Sequence, residues 1–213
     1  MLRMRLLSNF LSRREDRDIT TALNKESAMF FKKTVNDLTA AAVLVPIIDH
    51  PGGLTVLFTQ RGKRLKDHPG QVSFPGGRVE EEDNGPIDTA LRESSEEIGL
   101  VRTQVKILGE LDVCLTGTGF RVVPVVGLVE PPLELHLDEF EVEDVFEIPL
   151  PLVLEPNNYK KDYIVTESGH RREFYVLNYQ ERHIWGATAR TVSYTHLRAH
   201  ETLRYLVCRL LRE

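Results

Sequence analysis

The stretch FPGGRVEEEDNGPIDTALRESSEEIGL, residues 74–100, places a Pro-Gly-Gly turn ahead of a segment that predicts a helix over 86–98. Pro86 suits the first turn of a helix, where its missing N–H costs nothing, and Gly99 suits the left-handed position just past the end. At 100° per residue, a stripe of small and apolar side chains faces the core. Its members are Ile87, Ala90, Leu91, Ser94 and Ile98.

Three glutamates, Glu93, Glu96 and Glu97, gather on another flank of this helix, since residues three and four apart are neighbours. They crowd the C-terminal half, where the helix dipole disfavours anions. A lone cluster of this kind is most often a solvated face. A divalent cation would reverse the energetics, because Mg²⁺ and Mn²⁺ prefer hard oxygen ligands. The upstream glycines also let the backbone approach an ion or a phosphate closely.

The composition is that of an ordinary globular protein: 213 residues, 41% hydrophobic and 28% charged. A net charge of −5 supplies no global electrostatic reason to bind nucleic acid or an anionic membrane. No apolar run approaches the roughly 20 residues that span a bilayer. Cys114 and Cys208 lie far apart and make neither a disulfide framework nor a zinc spacing. We therefore expect a cytoplasmic protein with a small-molecule substrate, and the sequence leaves a homodimer open.

The chain divides into three predicted parts. Residues 1–36 read as a helical or partly disordered extension, whose acidic residues favour an ordinary amphipathic helix over a mitochondrial presequence. Residues 37–192 form the main domain. The tail, 193–213, resembles a segment that read-through of a sequencing-library adapter appends to unrelated translated sequences, and no function is assigned to it.

Strands outnumber helices in the main domain and do not alternate with them regularly. The predicted elements besides the helix are strands at 41–48, 54–61, 105–113 and 121–129, an acidic loop at 130–144, a short helix beginning in VFEIPL (145–150), a hairpin at 162–179 turning at Gly169, and a helix starting in 184–192. This order favours an α/β sandwich with a mixed β-sheet over a doubly wound sheet.

The opening stretch resembles a Nudix box, whose pattern is Gly, five residues, Glu, seven residues, then Arg-Glu-apolar-any-Glu-Glu-any-Gly-apolar. RESSEEIGL (92–100) carries the second half, with Ser94 in place of the apolar residue. Counting forward from Gly77, Asp83 stands where Glu is expected, and eight residues rather than seven separate it from Arg92. The resemblance implies a Nudix-type α/β/α sandwich.

The longer spacing is similar to that of one branch of the family, the coenzyme A diphosphatases. That branch also has an upstream signature: Leu-Leu-Thr-any-Arg-Ser, three residues, Arg, three residues, Gly, three residues, Phe-Pro-Gly-Gly. Here the chain reads LFTQRGKRLKDHPGQVSFPGG over 57–77. The matching positions are Thr59, Arg61, Gly70, Phe74, Pro75, Gly76 and Gly77. Phe58 and Gly62 depart from the signature, and Lys66 replaces an Arg, which keeps the charge but loses bidentate phosphate geometry.

The resemblance implies metal-dependent hydrolysis of coenzyme A to 4′-phosphopantetheine and adenosine 3′,5′-bisphosphate. It implies that Glu93 and Glu97 bind Mg²⁺ or Mn²⁺, with Glu96 and the Gly77 carbonyl as further ligands. It also implies that Arg92 orients one of the glutamates through a salt bridge, as an alternative to a plain surface ion pair.

Substrate contacts are expected from Arg61, Lys66 and the backbone of Gly76 and Gly77, although the two cations equally suit a loop that balances nearby acids. Two groups stay open as the general base. Glu96 belongs to the helix cluster. Glu141 in the acidic loop matches a glutamate of the branch, and its competing interpretation is a solvated acid.

Two other functions stay open. The first is a Nudix hydrolase of another diphosphate, such as ADP-ribose, a nucleotide sugar or an oxidised nucleotide, because the fold and a metal site do not separate these substrates. The second is a non-catalytic binding module, which would be expected to lose metal ligands, whereas this chain keeps all three glutamates.

Overall fold

A computed structural model describes residues 38–165, 169 and 171–197. The strands are β1 Thr39–His50, β2 Gly53–Arg61, β3 Val72–Ser73, β4 Gly76–Arg78, β5 Val105–Glu110, β6 Cys114–Leu115, β7 Phe120–Val129, β8 Val142–Pro149, β9 Tyr159–Val165, β10 Arg171–Tyr179 and β11 Arg182–Trp185. The helices are α1 Pro86–Ile98, α2 Leu150–Leu154 and α3 Gly186–Leu197, with 3-10 turns at Arg102–Gln104 and Pro156–Asn158.

The predicted N-terminal extension, 1–36, lies outside the described residues, as do residues 198–213 of the tail. Helix α3 runs across the predicted boundary at 192/193, and the division into three parts stays a prediction. No helix in the described part of the chain is both long and apolar enough to cross a membrane.

β1 lies at the centre of the main sheet, between β2 and β7. It runs parallel to β7 and antiparallel to β2 and β4. The sheet order is β3-β2-β1-β7-β5, with β8 added beside β2 and β6 beside β7. Parallel and antiparallel pairs thus occur together, as predicted. β9, β10 and β11 form a separate antiparallel sheet.

Two hydrophobic cores lie on opposite faces of the main sheet. Successive side chains of a strand point to opposite faces, and in β1 this sends Leu44 and Ile48 into one core and Val45 and Ile47 into the other. Apolar residues of α1 fill the first core, and those of α2 and α3 fill the second. Helices therefore cover both faces of the sheet, and the predicted α/β/α sandwich is confirmed.

The predicted helix over 86–98 is confirmed residue by residue as α1. Gly99 ends it at φ 69°, and its N–H donates to the Ser95 carbonyl at 3.0 Å. The predicted stripe faces the core, with Ile87 half-buried and the other four members buried. Glu97 is buried as well, although the pattern placed it on the acidic flank.

One predicted element is wrong in kind. The segment 145–150 does not begin with a helix, because most of it continues β8, which pairs antiparallel with β2 along Phe58 and Phe146. The two rings stack with centroids 5.7 Å apart. The short helix, α2, begins only at Leu150. Pairing with the distant strand β2 thus makes most of this segment a strand, although its local pattern is ambiguous.

The remaining predictions hold with small shifts. The acidic loop is shorter than expected, since β8 starts at Val142, and β5 ends at Glu110. The hairpin of β9 and β10 turns through Gly169, whose φ is 78°. The last helix starts at Gly186, directly after β11, a strand that the pattern did not predict.

Candidate active site

The carboxylate of Glu97 lies buried between α1 and the end of β2. Its Oε2 accepts a hydrogen bond from the Gly76 N–H at 3.1 Å, and its Oε1 lies 3.9 Å from the guanidinium of Arg61. Burial raises the pKa of Glu97 to about 7, against the lowering effect of these two partners. The side chain is only 6% exposed. A buried carboxyl with weak charge compensation is therefore the central feature of the site.

The Gly76–Gly77 backbone approaches this carboxylate because β4 pairs with β1. Gly76 has φ 151°, and a Cβ there would lie 2.5 Å from Val43 Cα. At Gly77 a Cβ would lie 2.5 Å from the carboxyl carbon of Glu93. Gly76 is thus required by backbone contacts, whereas Gly77 leaves room for the Glu93 carboxylate beside the strand.

Asp83 anchors Arg92 at the N-terminal side of the site. The guanidinium donates from Nε to Oδ1 at 3.0 Å and from Nη2 to Oδ2 at 3.1 Å, and Nη2 also donates to the Arg78 carbonyl. Asp83 further accepts from the Glu80 N–H and the Thr89 hydroxyl. The Arg92 hydrogen bonds hold the pKa of Asp83 well below its usual range. Asp83, which stands where the motif has Glu, is therefore paired with Arg92 across the longer spacing.

Arg92 also connects two of the predicted glutamates. Its Nη1 lies 3.0 Å from Glu93 Oε1 and 3.0 Å from Glu96 Oε2. Burial raises the pKa of Glu93, partly offset by Arg92. The Glu96 side chain, by contrast, is 60% exposed. This geometry is what the predicted orienting role of Arg92 requires, and the role itself stays a prediction.

Glu141 lies at the end of the acidic loop, directly before β8. Its charge is a minor contribution to the raised pKa of both Glu93 and Glu97, after burial. The loop passes the end of α1, where the Asp138 N–H donates to the Glu97 carbonyl at 2.9 Å. The loop is thus attached to the helix.

The two predicted cations behave differently. Arg61 is half-buried and meets Glu97, whereas Lys66 is exposed in the loop between β2 and β3. None of the ion pairs between described residues includes Lys66. The structure therefore brings Arg61 to the carboxylates and leaves Lys66 at the rim.

Sequence reasoning missed three contributors to the site: Thr89, Asp138 and Gly62. Thr89 left a signal, because it lies six residues after Asp83 and shares its carboxylate. Gly62 left only its departure from the upstream signature, and Asp138 left no signal, since their contacts with Glu141 and Glu97 join residues far apart in the sequence.

The donor set fits a divalent cation by its chemistry. In the described part of the chain, no three Asp, Glu, His or Cys side chains gather their donor atoms into a ready-made ion site. Glu93 is held by Arg92 and Glu97 by the Gly76 amide. Both have raised pKa values because burial and neighbouring carboxylates disfavour their charges. A hard cation would relieve both effects, and carboxylate oxygens are its preferred ligands.

The fold and the site together define a class: an α/β/α sandwich whose motif helix carries a buried acidic site beside a Gly-Gly strand. The sequence matches the family described as NUDIX domain over residues 38–167. This is more than half of the chain, and the chain belongs to the Nudix family. The predicted family is thereby confirmed.

Similar proteins include bacterial relatives described as "Uncharacterized Nudix hydrolase NudL". The one from Photorhabdus laumondii is 42% identical over 150 residues, which cover 70% of this chain and 79% of that protein. The one from Pectobacterium atrosepticum is 40% identical over 157 residues, covering 74% and 81%. Among solved structures, a MutT/nudix family protein from Enterococcus faecalis has a TM-score of 0.49 at 16% identity, over 96% of this chain and 74% of that one.

Proposed function

We propose that this chain is a Nudix hydrolase that cleaves the diphosphate bond of coenzyme A with Mg²⁺ or Mn²⁺. One observation carries the proposal: the two sequence motifs meet at one carboxylate. Arg61 and the Gly76 N–H, both from the upstream signature, contact Glu97, the buried carboxylate of the Nudix box. The upstream signature and the Nudix box thus meet at the same buried acid, which supports a single site for substrate binding and hydrolysis.

The cation is proposed to bind to Glu93 and Glu97, with Glu96 and the Gly77 carbonyl as further ligands. When bound, it supplies charge neutralisation for the diphosphate and makes water more acidic. Within the chain, Arg92 restrains Glu93 and Glu96 at 3.0 Å from one nitrogen, which limits their rotamers. Little covalent chemistry is needed, because diphosphate cleavage depends mainly on positioning and charge stabilisation.

Arg61 is the main proposed contact to the substrate phosphates. Its guanidinium is half-buried and can present two N–H groups to a phosphate. Lys66, exposed in the adjoining loop, is proposed to meet an outer phosphate such as the 3′-phosphate of coenzyme A. The backbone N–H groups of the Gly76–Gly77 strand complete the proposed contacts.

Glu141 is the proposed general base. Its charge contributes to the raised pKa of Glu93 and Glu97, which supports a place beside them, whereas Glu96 is already engaged by Arg92. In the proposed step, a water oxygen bonds to phosphorus while the bridging P–O bond breaks. Glu141 takes the proton of that water, and the leaving phosphate takes the electron pair. The products are 4′-phosphopantetheine and adenosine 3′,5′-bisphosphate.

A diphosphate panel tests the proposal. Purified protein is incubated with coenzyme A, ADP-ribose, a nucleotide sugar and an oxidised nucleoside triphosphate, with Mg²⁺ or Mn²⁺ and with chelator, and the products are separated by chromatography. We expect cleavage of coenzyme A that chelator abolishes.

Turnover of another diphosphate without any cleavage of coenzyme A would overturn the substrate assignment. Metal binding without hydrolysis of any compound would favour a non-catalytic binding module. The cytoplasmic location and a homodimer remain proposals from the sequence.

A further inference from the structure

Gly62 is required by a contact to the acidic loop. The residue is buried, and its φ lies outside the left-handed region, so its backbone conformation would accept any side chain. Space is the obstacle. A Cβ at this position would overlap the Phe140 carbonyl oxygen and lie 3.4 Å from the Phe140 carbonyl carbon. Both are backbone atoms and cannot turn aside as a flexible side chain can. This is one of the two positions where the chain departs outright from the upstream signature, which has Ser here.

The close approach carries a hydrogen bond to the residue proposed as general base. The Gly62 N–H donates to the Glu141 carbonyl at 2.8 Å. Next to it, Lys63 Nζ lies 2.5 Å from Glu143 Oε1. This ion pair is exposed and contributes little. The Gly62 hydrogen bond instead extends the pairing of β2 with β8, in which Arg61 lies opposite Val142.

Asp138 holds the same loop from the other side. Its N–H donates to the Glu97 carbonyl, and its own carbonyl accepts from the Val142 N–H at 2.8 Å. Its Oδ1 accepts from the Phe140 N–H at 2.8 Å. These bonds close a tight turn around Glu141, which is thus fixed between the end of α1 and the end of β2.

We propose that Gly62 is a positioning residue that holds the backbone of Glu141, the proposed general base, at the end of β2. The inference rests on the proposed function only through the role of Glu141 as base. A side chain at position 62 pushes the Phe140–Glu141 backbone outward and breaks the hydrogen bond to Glu141. The carboxylate then moves away from the attacking water, while Arg61, the neighbouring residue, keeps its contact with Glu97.

The test compares Gly62→Ser and the smaller Gly62→Ala with Gly52→Ser. Gly52 is the matched control, because a Cβ there meets nothing within 4 Å and its φ is ordinary. Hydrogen–deuterium exchange of the Glu141 and Val142 amides should become roughly tenfold faster in both Gly62 variants. For coenzyme A hydrolysis, kcat should fall about 100-fold in Gly62→Ser, as expected when the Glu141 carboxylate is displaced by about 1 Å. KM should change by less than about threefold.

A double-mutant cycle with Glu141→Gln separates positioning from general damage. In the Glu141→Gln background, Gly62→Ser should lower kcat by less than about twofold, because the group it positions is gone. An equal loss of kcat in both backgrounds would overturn the proposal. So would unchanged exchange at residues 141 and 142.

Asp138→Ala provides a second variant in case position 62 tolerates no side chain. It removes the Oδ1 acceptor and should give the same pattern. Amide exchange in the turn should become faster, and kcat should fall in the wild-type background but hardly in the Glu141→Gln background. The exchange measurement needs no substrate. If the wild-type protein cleaves no coenzyme A, the proposed function fails while the exchange data still decide whether Gly62 holds the loop.

Discussion

Two buried carboxylates at opposite ends of the same motif have opposite electrostatics. The Asp83 side chain is 5% exposed and accepts two hydrogen bonds from Arg92, which hold its pKa far below the usual range. The Glu97 side chain is 6% exposed but has one backbone N–H and a guanidinium 3.9 Å away, and its pKa rises to about 7. The two side chains are similarly covered from solvent, but burial is the main influence on Glu97 and a minor one on Asp83, where the Arg92 hydrogen bonds prevail.

Asp83 is an acid paired within the fold, whereas Glu97 is the acid proposed to bind the metal. Asp83 stays ionised because its charge is matched within the fold, and it therefore stabilises the fold above its titration range. Glu97 costs stability when ionised, because burial disfavours its charge and the Gly76 N–H and Arg61 offset this only in part. An uncompensated buried acid is a feature that functional sites retain and structural networks avoid.

The largest expected effect is at Glu97. Replacing it with Gln in Glu97→Gln keeps the shape and removes the charge, so hydrolysis of coenzyme A should fall about 1,000-fold. Steady-state kinetics with Mg²⁺ measure the loss, and Glu82→Gln, at an exposed position, is the matched control. Activity within tenfold of wild type would show that hydrolysis does not depend on the charge of Glu97.

Asp83→Asn should cost stability, by about 3 kcal/mol of unfolding free energy at neutral pH, because Arg92 loses the carboxylate that accepts two of its hydrogen bonds. Because the folded pKa of Asp83 is lowered, its contribution is present above pH 3.8, the ordinary value, and is lost as the pH falls below it. The deficit of the variant should therefore shrink in acid. Denaturant unfolding with chelator measures it, with Asp112→Asn as an exposed control. A deficit independent of pH would contradict the assigned charge state.

Gly77→Ala should disturb the carboxylates near Glu97 and leave the Asp83–Arg92 pair intact. Its Cβ would lie 2.5 Å from the Glu93 carboxyl carbon, which belongs to a flexible side chain and can move. Stability should change little, whereas kcat should fall roughly 30-fold as Glu93 is displaced. Gly52→Ala, with open space around it, should change neither. A loss of stability without a loss of kcat would assign Gly77 to the fold alone.

The smallest effect is the pH dependence of the metal-free protein. Because the folded pKa of Glu97 is raised from 4.5 to about 7, the folded state keeps a proton that the unfolded chain has lost. Stability from this group is full below pH 4.5 and is lost as the pH rises towards 7. We expect a decrease of about 2 kcal/mol between about pH 5 and about pH 7.5. Thermal or denaturant unfolding of Glu97→Gln should lack this decrease, and an identical slope in both proteins would refute it.

Predictions from the sequence succeeded where the signal is local. Helix α1 has the predicted bounds because Pro86, the apolar period and the Gly99 cap are all signals within or next to the helix. The first hairpin was predicted from a run of apolar residues ended by turn residues. The segment 145–150 failed for the opposite reason. Its pairing partner, β2, lies about 90 residues earlier, and no local pattern encodes that contact.

The sequence by itself determined the family, the motif helix and the identity of the acids on it, because caps, helical period and motif spacing are properties of neighbouring residues. Which acid is paired and which one has a raised pKa depends on the tertiary structure. It brought Arg61 to Glu97, Asp83 to Arg92, and Glu141 to Gly62. The charge state of a carboxyl depends on burial and on partners in space, and the chain supplies those partners only when it has folded.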